Sequence, residues 1–310
     1  MNKRPVIIDC DPGIDDAIAL LLAFRAPELD VRAVTPVAGN VGLANTRRNA
    51  LRVAALAGVE VPVCPGADRP MFGTPVTADE FHGADGMMGF PLPDPAYPAR
   101  EERAWDALYR EAAACEGGLD VIATGPLTNL GIAFSKYGDL PGRLHRIVLM
   151  GGAASYGNTT PAAEFNILAD PEAAEIVFRS GVPIHMCGLD VTHRAYLDAG
   201  EIAALAAQGT PQAEFAAQVM ESAVQWHWTT FGVPGAPMHD ACAMMYTLEP
   251  DLFTSAHCWV GVECQGRITR GKTVTDLYSD AKREASTELV TDVDREKFVR
   301  SLQTRLFAYK

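Results

Sequence analysis

Short apolar runs alternate along this chain with longer stretches that are amphipathic or apolar throughout. The run at 6–9, closed by an Asp-Pro-Gly turn signal, reads as a buried strand. Residues 15–25 follow as a helix that is apolar on almost every face, and therefore buried. The alternation continues, with strands expected at 31–37, 61–64, 119–123, 146–150 and 182–187. Helices are expected at 44–57, where Gly58 ends the pattern, and at 101–115, 127–137 and 171–179, the last opened by Pro171. Further on, the pattern predicts helices at 199–208, 211–231 and 294–307 and strands at 259–263 and 273–277. A polar loop rich in glycine and proline runs from 65 to about 98, a length that in a compact domain usually carries function. Strand–helix alternation implies a doubly wound α/β fold, a mostly parallel sheet with helices on both faces. A TIM barrel produces the same local pattern and is the alternative. No repeat or linker interrupts the chain, so residues 1–310 read as one domain.

Charge narrows the partners. The 39 acidic and 26 basic residues leave a net charge of −13, which argues against a nucleic-acid or anionic-membrane partner but not against a small neutral ligand. The longest apolar stretch, 17–24, is too short to span a bilayer, and the first residues lack the apolar core of a signal peptide. Cys10, Cys64, Cys115, Cys187, Cys242, Cys258 and Cys264 are scattered, with no C-x-x-C. They read as reduced core thiols of a cytoplasmic protein rather than zinc ligands or disulfides.

The sharpest chemical feature is Asp9-Cys10-Asp11-Pro12-Gly13-Ile14-Asp15-Asp16. Four carboxylates in eight residues, between a strand and an apolar helix, raise one another's pKa unless a cation neutralises them. Hard oxygen donors without neighbouring Cys or His favour Ca²⁺ or Mg²⁺. A helix cap and a solvated strand end would account for only one or two of the four. Three weaker segments also carry polar candidates, two of them after predicted strands. Thr124-Gly125-Pro126-Leu127-Thr128-Asn129 can present a backbone carbonyl to a cation, and His239-Asp240 offers another carboxylate with a histidine beside it. Asn158 to Asn166, with Glu164 and Phe165 inside it, offers donors and acceptors suited to sugar hydroxyls, as does Asn40.

Taken in order, these segments strongly resemble the inosine-uridine-preferring nucleoside hydrolase family. The resemblance rests on Ile7 to Ala17, on Val37-Ala38-Gly39-Asn40, on Thr124 to Asn129, on Met150-Gly151-Gly152, on Ala163-Glu164-Phe165-Asn166 and on His239-Asp240. It implies a doubly wound fold, a homodimer or homotetramer, and hydrolysis of a small-molecule ribonucleoside to ribose and free base. It further implies Ca²⁺ held by Asp11, Asp16, the Thr124 carbonyl and Asp240. Asp15, Asn40, Asn158, Glu164 and Asn166 would hold the ribose, with Met150 and Phe165 lining its pocket. Asp11 would be the general base for a calcium-bound water, which attacks opposite the base and inverts the anomeric carbon. His82 and His239 would face the nucleobase, with His239 as proton donor to the leaving group. Histidines at these two positions lean toward the inosine-uridine or pyrimidine branches.

The stretch Gln225 to Phe231 is open to two readings. His227 can meet the nucleobase, whereas Trp226 and Trp228 read as core or interface residues. His145, His185, His193 and His257 read as structural or surface residues. Two rival functions are weighed. A metal-dependent phosphatase acting on nucleotides fits Asp9-x-Asp11 superficially, but Pro12 and Gly13 break its usual pattern. A non-catalytic nucleoside-binding relative would lack some carboxylates, and all are present.

Overall fold

The computed structural model describes residues 3–278 and 283–307. Its centre is an eight-stranded sheet in the order β2-β1-β3-β4-β5-β10-β8-β9. The strands are β1 (Arg4–Cys10), β2 (Leu29–Pro36), β3 (Leu119–Ala123), β4 (Leu144–Met150), β5 (Ile184–Cys187), β8 (Phe253–Val262), β9 (Thr273–Asp276) and β10 (Thr287–Val293). The first six in that order run parallel, and β8 is antiparallel to both of its neighbours. An open sheet with an antiparallel extension excludes the barrel. A separate two-stranded ribbon pairs β6 (Tyr196–Leu197) with β7 (Ala236–Pro237).

The helices are α1 (Ile14–Arg25), α2 (Leu43–Ala57), α3 (Asp79–His82), α4 (Ala104–Ala114), α5 (Thr128–Lys136) and α6 (Phe165–Ala169). They continue with α7 (Pro171–Phe178), α8 (Leu189–Thr192), α9 (Ala199–Ala206), α10 (Pro211–Phe231), α11 (His239–Leu248) and α12 (Arg295–Phe307). The period of two along each strand sorts the core into two layers. On β1, Val6, Ile8 and Cys10 face the layer of α1, α2, α10 and α11, while Ile7 faces α4, α5 and α7. On β4, Val148 and Met150 take the first side, Ile147 and Leu149 the second. Both faces are covered, so strands and α1 read as continuous apolar runs.

Most expected elements are present, and 211–231 is one helix, as the pattern predicts. Three differences have physical causes. Residues 61–64 form only a single bridge, Val34 to Val63, beside β2, too little to make a strand. The segment 239–248 is the helix α11, buried along almost its whole length, so it lacks the one-sided periodicity that marks a surface helix. Strand β10 has only the adjacent pair Leu289-Val290 fully buried among its apolar residues, one to each core layer, which hides the alternation. The long loop is not loose: Asn49 and Arg52 of α2 hold it through the carbonyls of Asp85 and Leu92, and α3 lies within it.

From β1 the chain crosses through α1 to β2 on one side, and only then returns to β3 on the other. Between β1 and β3 the connections diverge, which opens a crevice at the strands' carboxyl ends, the usual place for a ligand in such sheets. Asp9 and Thr124 meet there, with the Thr124 N–H donating to the Asp9 carbonyl at 2.8 Å.

Candidate active site

A cavity of about 520 Å³ opens over this crevice. Its floor is built from strand ends. Asp15, Asp16 and Asp240 place one carboxylate oxygen each within 4.8 Å of one another, joining the first turn of α1 to that of α11. Asp11 lies buried beside them. Its Oδ2 accepts the Asn40 backbone N–H at 2.7 Å, and its Oδ1 is buried with no protein partner. Gly39 and Gly125 press on it from two sides: a Cβ on Gly39 would meet Asp11 Oδ2 at 2.1 Å, and one on Gly125 would meet Oδ1 at 2.7 Å. Only glycine leaves room for that carboxylate.

Asp9 departs from the expected cluster of four. It points to the other face of the sheet, where its Oδ2 accepts from Thr35 Oγ1 at 2.6 Å and Asn129 Nδ2 at 2.9 Å. Asp9 is still within β1 and faces the layer opposite Cys10, whereas Asp11 lies beyond the last strand residue and is free of that alternation. Three carboxylates of the motif, with Asp240, therefore form the charged floor. Burial, then mutual repulsion, raises Asp11 and Asp240 well above the usual carboxylate range, and pushes Asp16 up to about 7. A cavity floor of buried, repelling, hard oxygen donors, one left without a partner, fits a hard divalent cation such as Ca²⁺ or Mg²⁺.

The expected metal set was Asp11, Asp16, Thr124 and Asp240, whereas the tightest carboxylate group is Asp15, Asp16 and Asp240. Thr124 faces this floor twice over. Its Oγ1 donates to Asp16 Oδ1 at 2.8 Å, and its carbonyl accepts from Asn166 Nδ2 at 2.8 Å. Asn166 also donates to the Met150 carbonyl at 3.1 Å, which ties the ends of β3 and β4 to α6. Glu164 caps α6: its carboxylate accepts the N–H groups of Asn166, Ile167 and Gly152. Burial outweighs these three donors and leaves its pKa at about 7. Asn158 Oδ1 accepts the Phe165 N–H at 3.0 Å, and Asn40 Nδ2 donates to Asp16 Oδ2 at 3.2 Å. Asp15, Asn40, Thr124, Met150, Asn158, Glu164, Phe165, Asn166 and Asp240 all line the cavity, while Asp11 and Asp16 sit beneath its surface.

The opposite wall is aromatic and imidazole. His82, His227 and His239 line it. Phe81 stands edge-on to His82, with ring centroids 5.0 Å apart, and to His227 at 5.6 Å, and it leans on Trp226 at 4.9 Å. His239 lies 5.6 Å from His227, and its Nδ1 is 2.8 Å from Thr192 Oγ1. Burial lowers the pKa of all three, and His239 furthest, through its complete burial first and then the three imidazoles around it.

One reading of this wall needs correction. Trp226 is not core: it is half exposed and lines the cavity, and Trp228 is exposed. His193 is structural rather than surface: it is buried 5.5 Å from His239, with burial pushing its pKa down to about 4. His145 and His257 are exposed and ion-paired, and His185 bonds the Tyr246 hydroxyl, as structural residues do. Phe81, Met88 and Ser222 line the cavity without having stood out in the sequence. The one available signal was spacing: 222 and 226 are i, i+4 on α10, and 81 adjoins 82.

The model of the inosine-uridine preferring nucleoside hydrolase family matches residues 6–300. The chain belongs to that family. It is therefore an N-glycosyl hydrolase acting on ribonucleosides, with the metal dependence general to the family, and the phosphatase alternative falls away. The pyrimidine-specific ribonucleoside hydrolase RihA of Photobacterium profundum is 44% identical over 309 residues, covering 99% of this chain and 100% of the relative. The RihA of Escherichia coli O127:H6 is 42% identical, covering 98% and 99%. Among solved structures, a plant nucleoside hydrolase, PpNRh1, superposes with a TM-score of 0.92 at 31% identity, covering 98% of this chain and 99% of that one. A purine-preferring ribonucleoside hydrolase from Gardnerella vaginalis gives 0.92 at 30%, with 98% of each chain covered. The fold is thus shared by relatives named for opposite base preferences. No helix among the described residues is long and apolar enough to cross a membrane.

Proposed function

We propose that this enzyme hydrolyses pyrimidine ribonucleosides to ribose and free base, with Ca²⁺ held by Asp11, Asp16, Asp240 and the Thr124 carbonyl. The observation that carries the reading is the buried carboxylate floor, with the unpartnered Asp11 Oδ1, facing an imidazole and aromatic wall across one cavity. Calcium bound there supplies charge neutralisation, anchors hydroxyl oxygens and makes a bound water more acidic.

The chain's own residues do the rest. Asp15, Asn40, Asn158, Glu164 and Asn166 hold the ribose over the floor, with Met150 and Phe165 beneath and beside it. Asp11 takes the proton of the attacking water, a step worth about 10²–10⁴-fold. The carboxylates favour the positive charge that the sugar ring gains as the bond to the base breaks. His239 gives the leaving base a proton or hydrogen bond, and Phe81 and Trp226 pack against its ring. Attack from the face opposite the base inverts the anomeric carbon. The pyrimidine preference draws on the two RihA relatives and on the histidines at 82 and 239. In the same reading residues 1–310 are one domain that assembles as a homodimer or homotetramer in the cytoplasm.

A reducing-sugar assay with uridine, cytidine, inosine, adenosine and guanosine, with and without chelator, tests the reading. Chelator-sensitive ribose release that is fastest for uridine and cytidine supports it. Release only from purine nucleosides, or release indifferent to chelator with calcium restored to no effect, overturns it.

A further inference from the structure

A buried stretch of chain outside helix and strand must find partners elsewhere for its backbone N–H and C=O groups. After β4 the segment Gly152 to Ser155 is such a stretch, and each of its backbone groups is bonded to a residue outside it. The Gly152 N–H donates to Glu164 at 2.8 Å, and its carbonyl accepts the Leu189 N–H at 3.0 Å. Thr273 Oγ1 accepts the Ala153 N–H at 2.9 Å. Two opposite charges take the rest. The Asp190 carboxylate, on α8, accepts the N–H groups of Ala154 and Ser155 at 2.7 and 3.2 Å and the Ser155 hydroxyl at 2.6 Å. Lys272, just ahead of β9, donates to the carbonyls of Ala153, Ala154 and Ser155 at 2.9, 3.2 and 2.7 Å. That uses every donor of an ammonium group. Gly152, at φ +70°, lets the segment lie this close to β9, since a Cβ there would meet Thr273 Cγ2 at 2.7 Å.

The clamped segment leads straight into Asn158 and Glu164, which line the cavity, and the bond from Gly152 to Glu164 ties the far end of that loop back to the clamp. Lys272 and Asp190 lie outside the cavity lining, so they act through the loop. One cation can take together two cis hydroxyls on adjacent ring carbons. That leaves the exocyclic 5′-hydroxyl of a ribose to side chains. We propose that Lys272 and Asp190 are positioning residues, an ion clamp that holds Asn158 and Glu164 in reach of the 5′-hydroxyl. This inference rests on the ribose-binding reading above. A loop held only by outside partners shifts when a clamp charge is removed, and a shift of about 1 Å in a binding group is enough to lose its contact.

The test compares kcat/KM for uridine and 5′-deoxyuridine, which differ only in that hydroxyl. It is run on the calcium-loaded wild type, Lys272→Met and Asp190→Ala. Both substrates carry the same leaving base, so the ratio between them reads the hydroxyl contact alone. The wild-type preference for uridine is expected to fall by about 10-fold in each variant, as one lost hydrogen bond predicts. Calcium affinity, read by titrating metal-free protein, is expected to stay unchanged, because the clamp touches no carboxylate of the floor. Lys272→Gln, whose amide still donates, is expected to keep part of the preference. Losses that are equal on the two substrates mark a merely structural role; they overturn the inference and leave the hydrolase reading standing, because uridine is still cleaved. Wild-type protein that releases no ribose from uridine overturns that reading and this inference together. Should the variants not fold, hydrogen exchange on the ligand-free wild type decides. Protected amides at Ala154 and Ser155 support the clamp, and amides exchanging as fast as those of an unstructured peptide overturn it.

Discussion

The floor and the wall of the cavity are built by different means. The floor hangs on the ends of β1, β3 and β4 and the first turns of α1 and α11, and its side chains are tied to backbone N–H and carbonyl groups. The wall stands on α3, α10 and the start of α11, and its rings pack on one another, each imidazole with one hydrogen bond to the surrounding fold. Rigid strand ends can keep several charges at angstrom tolerance in a low-dielectric site, which bond cleavage requires. Ring-on-ring packing tolerates substitution more easily, which suits a surface that chooses among bases. The shared fold of relatives named pyrimidine-specific and purine-preferring fits this division.

Experiments can break the comparison at either end. The largest effect is expected from removing the metal: turnover falls to background, and calcium at about 1,000 times its Kd adds about 4 kcal/mol of stability. The chelated protein also acquires a pH dependence. The pKa of Asp16 is about 7 in the fold against an ordinary 3.8, so its contribution to stability is present below about pH 4 and is lost as pH rises through 7. Thermal melts from pH 4 to 8 with chelator should show Tm falling, and calcium should remove the fall. A flat chelated curve would mean that the carboxylates do not repel as their burial implies.

Next comes Asp11→Ala, expected to lose about 10²–10⁴-fold in kcat with circular dichroism unchanged. In chelated protein the same change should raise Tm, because it removes a repelling buried charge. Activity near the wild-type level would remove Asp11 from the chemistry. On the wall, His239→Ala is expected to cost about 10²-fold in kcat on uridine and far less on a riboside with an activated leaving group. Equal losses on both would make His239 a packing residue. Phe81→Ala should raise KM by about tenfold with calcium affinity unchanged, as lost base stacking predicts. Smallest of all, Trp228→Ala, on the exposed side of α10, should change stability by less than about 0.5 kcal/mol and leave kinetics alone. A large effect there would place Trp228 in a subunit interface.

Much of the floor was legible in the sequence because its residues come in short polar runs, Asp11 to Asp16 and Thr124 directly after strands and Glu164 to Asn166 and Asp240 at helix starts. The wall was half legible. His82, His227 and His239 stood out as polar residues in loop or helix, whereas Phe81, Met88 and Trp226 carry no local mark that separates a pocket ring from a core ring. The sequence leaves open whether His193 is structural or surface for the same reason, since burial beside His239 arises from α8 meeting α11.

What the sequence by itself determined is therefore the layered parallel sheet and the local carboxylate motif, because hydrophobic period and residues two to five apart are properties of a single segment. Only the tertiary structure decided that Asp9 turns away from the cluster while Asp240, more than two hundred residues on, joins it. It also decided that Nδ1 of His227 meets the Ala223 carbonyl while Nδ1 of His82 meets the Ile14 N–H. The physical reason is the same in each case: strand pleat, strand order and helix packing bring side chains and backbone groups together in space, and those contacts, more than residue type, set charge state and hydrogen-bond sense.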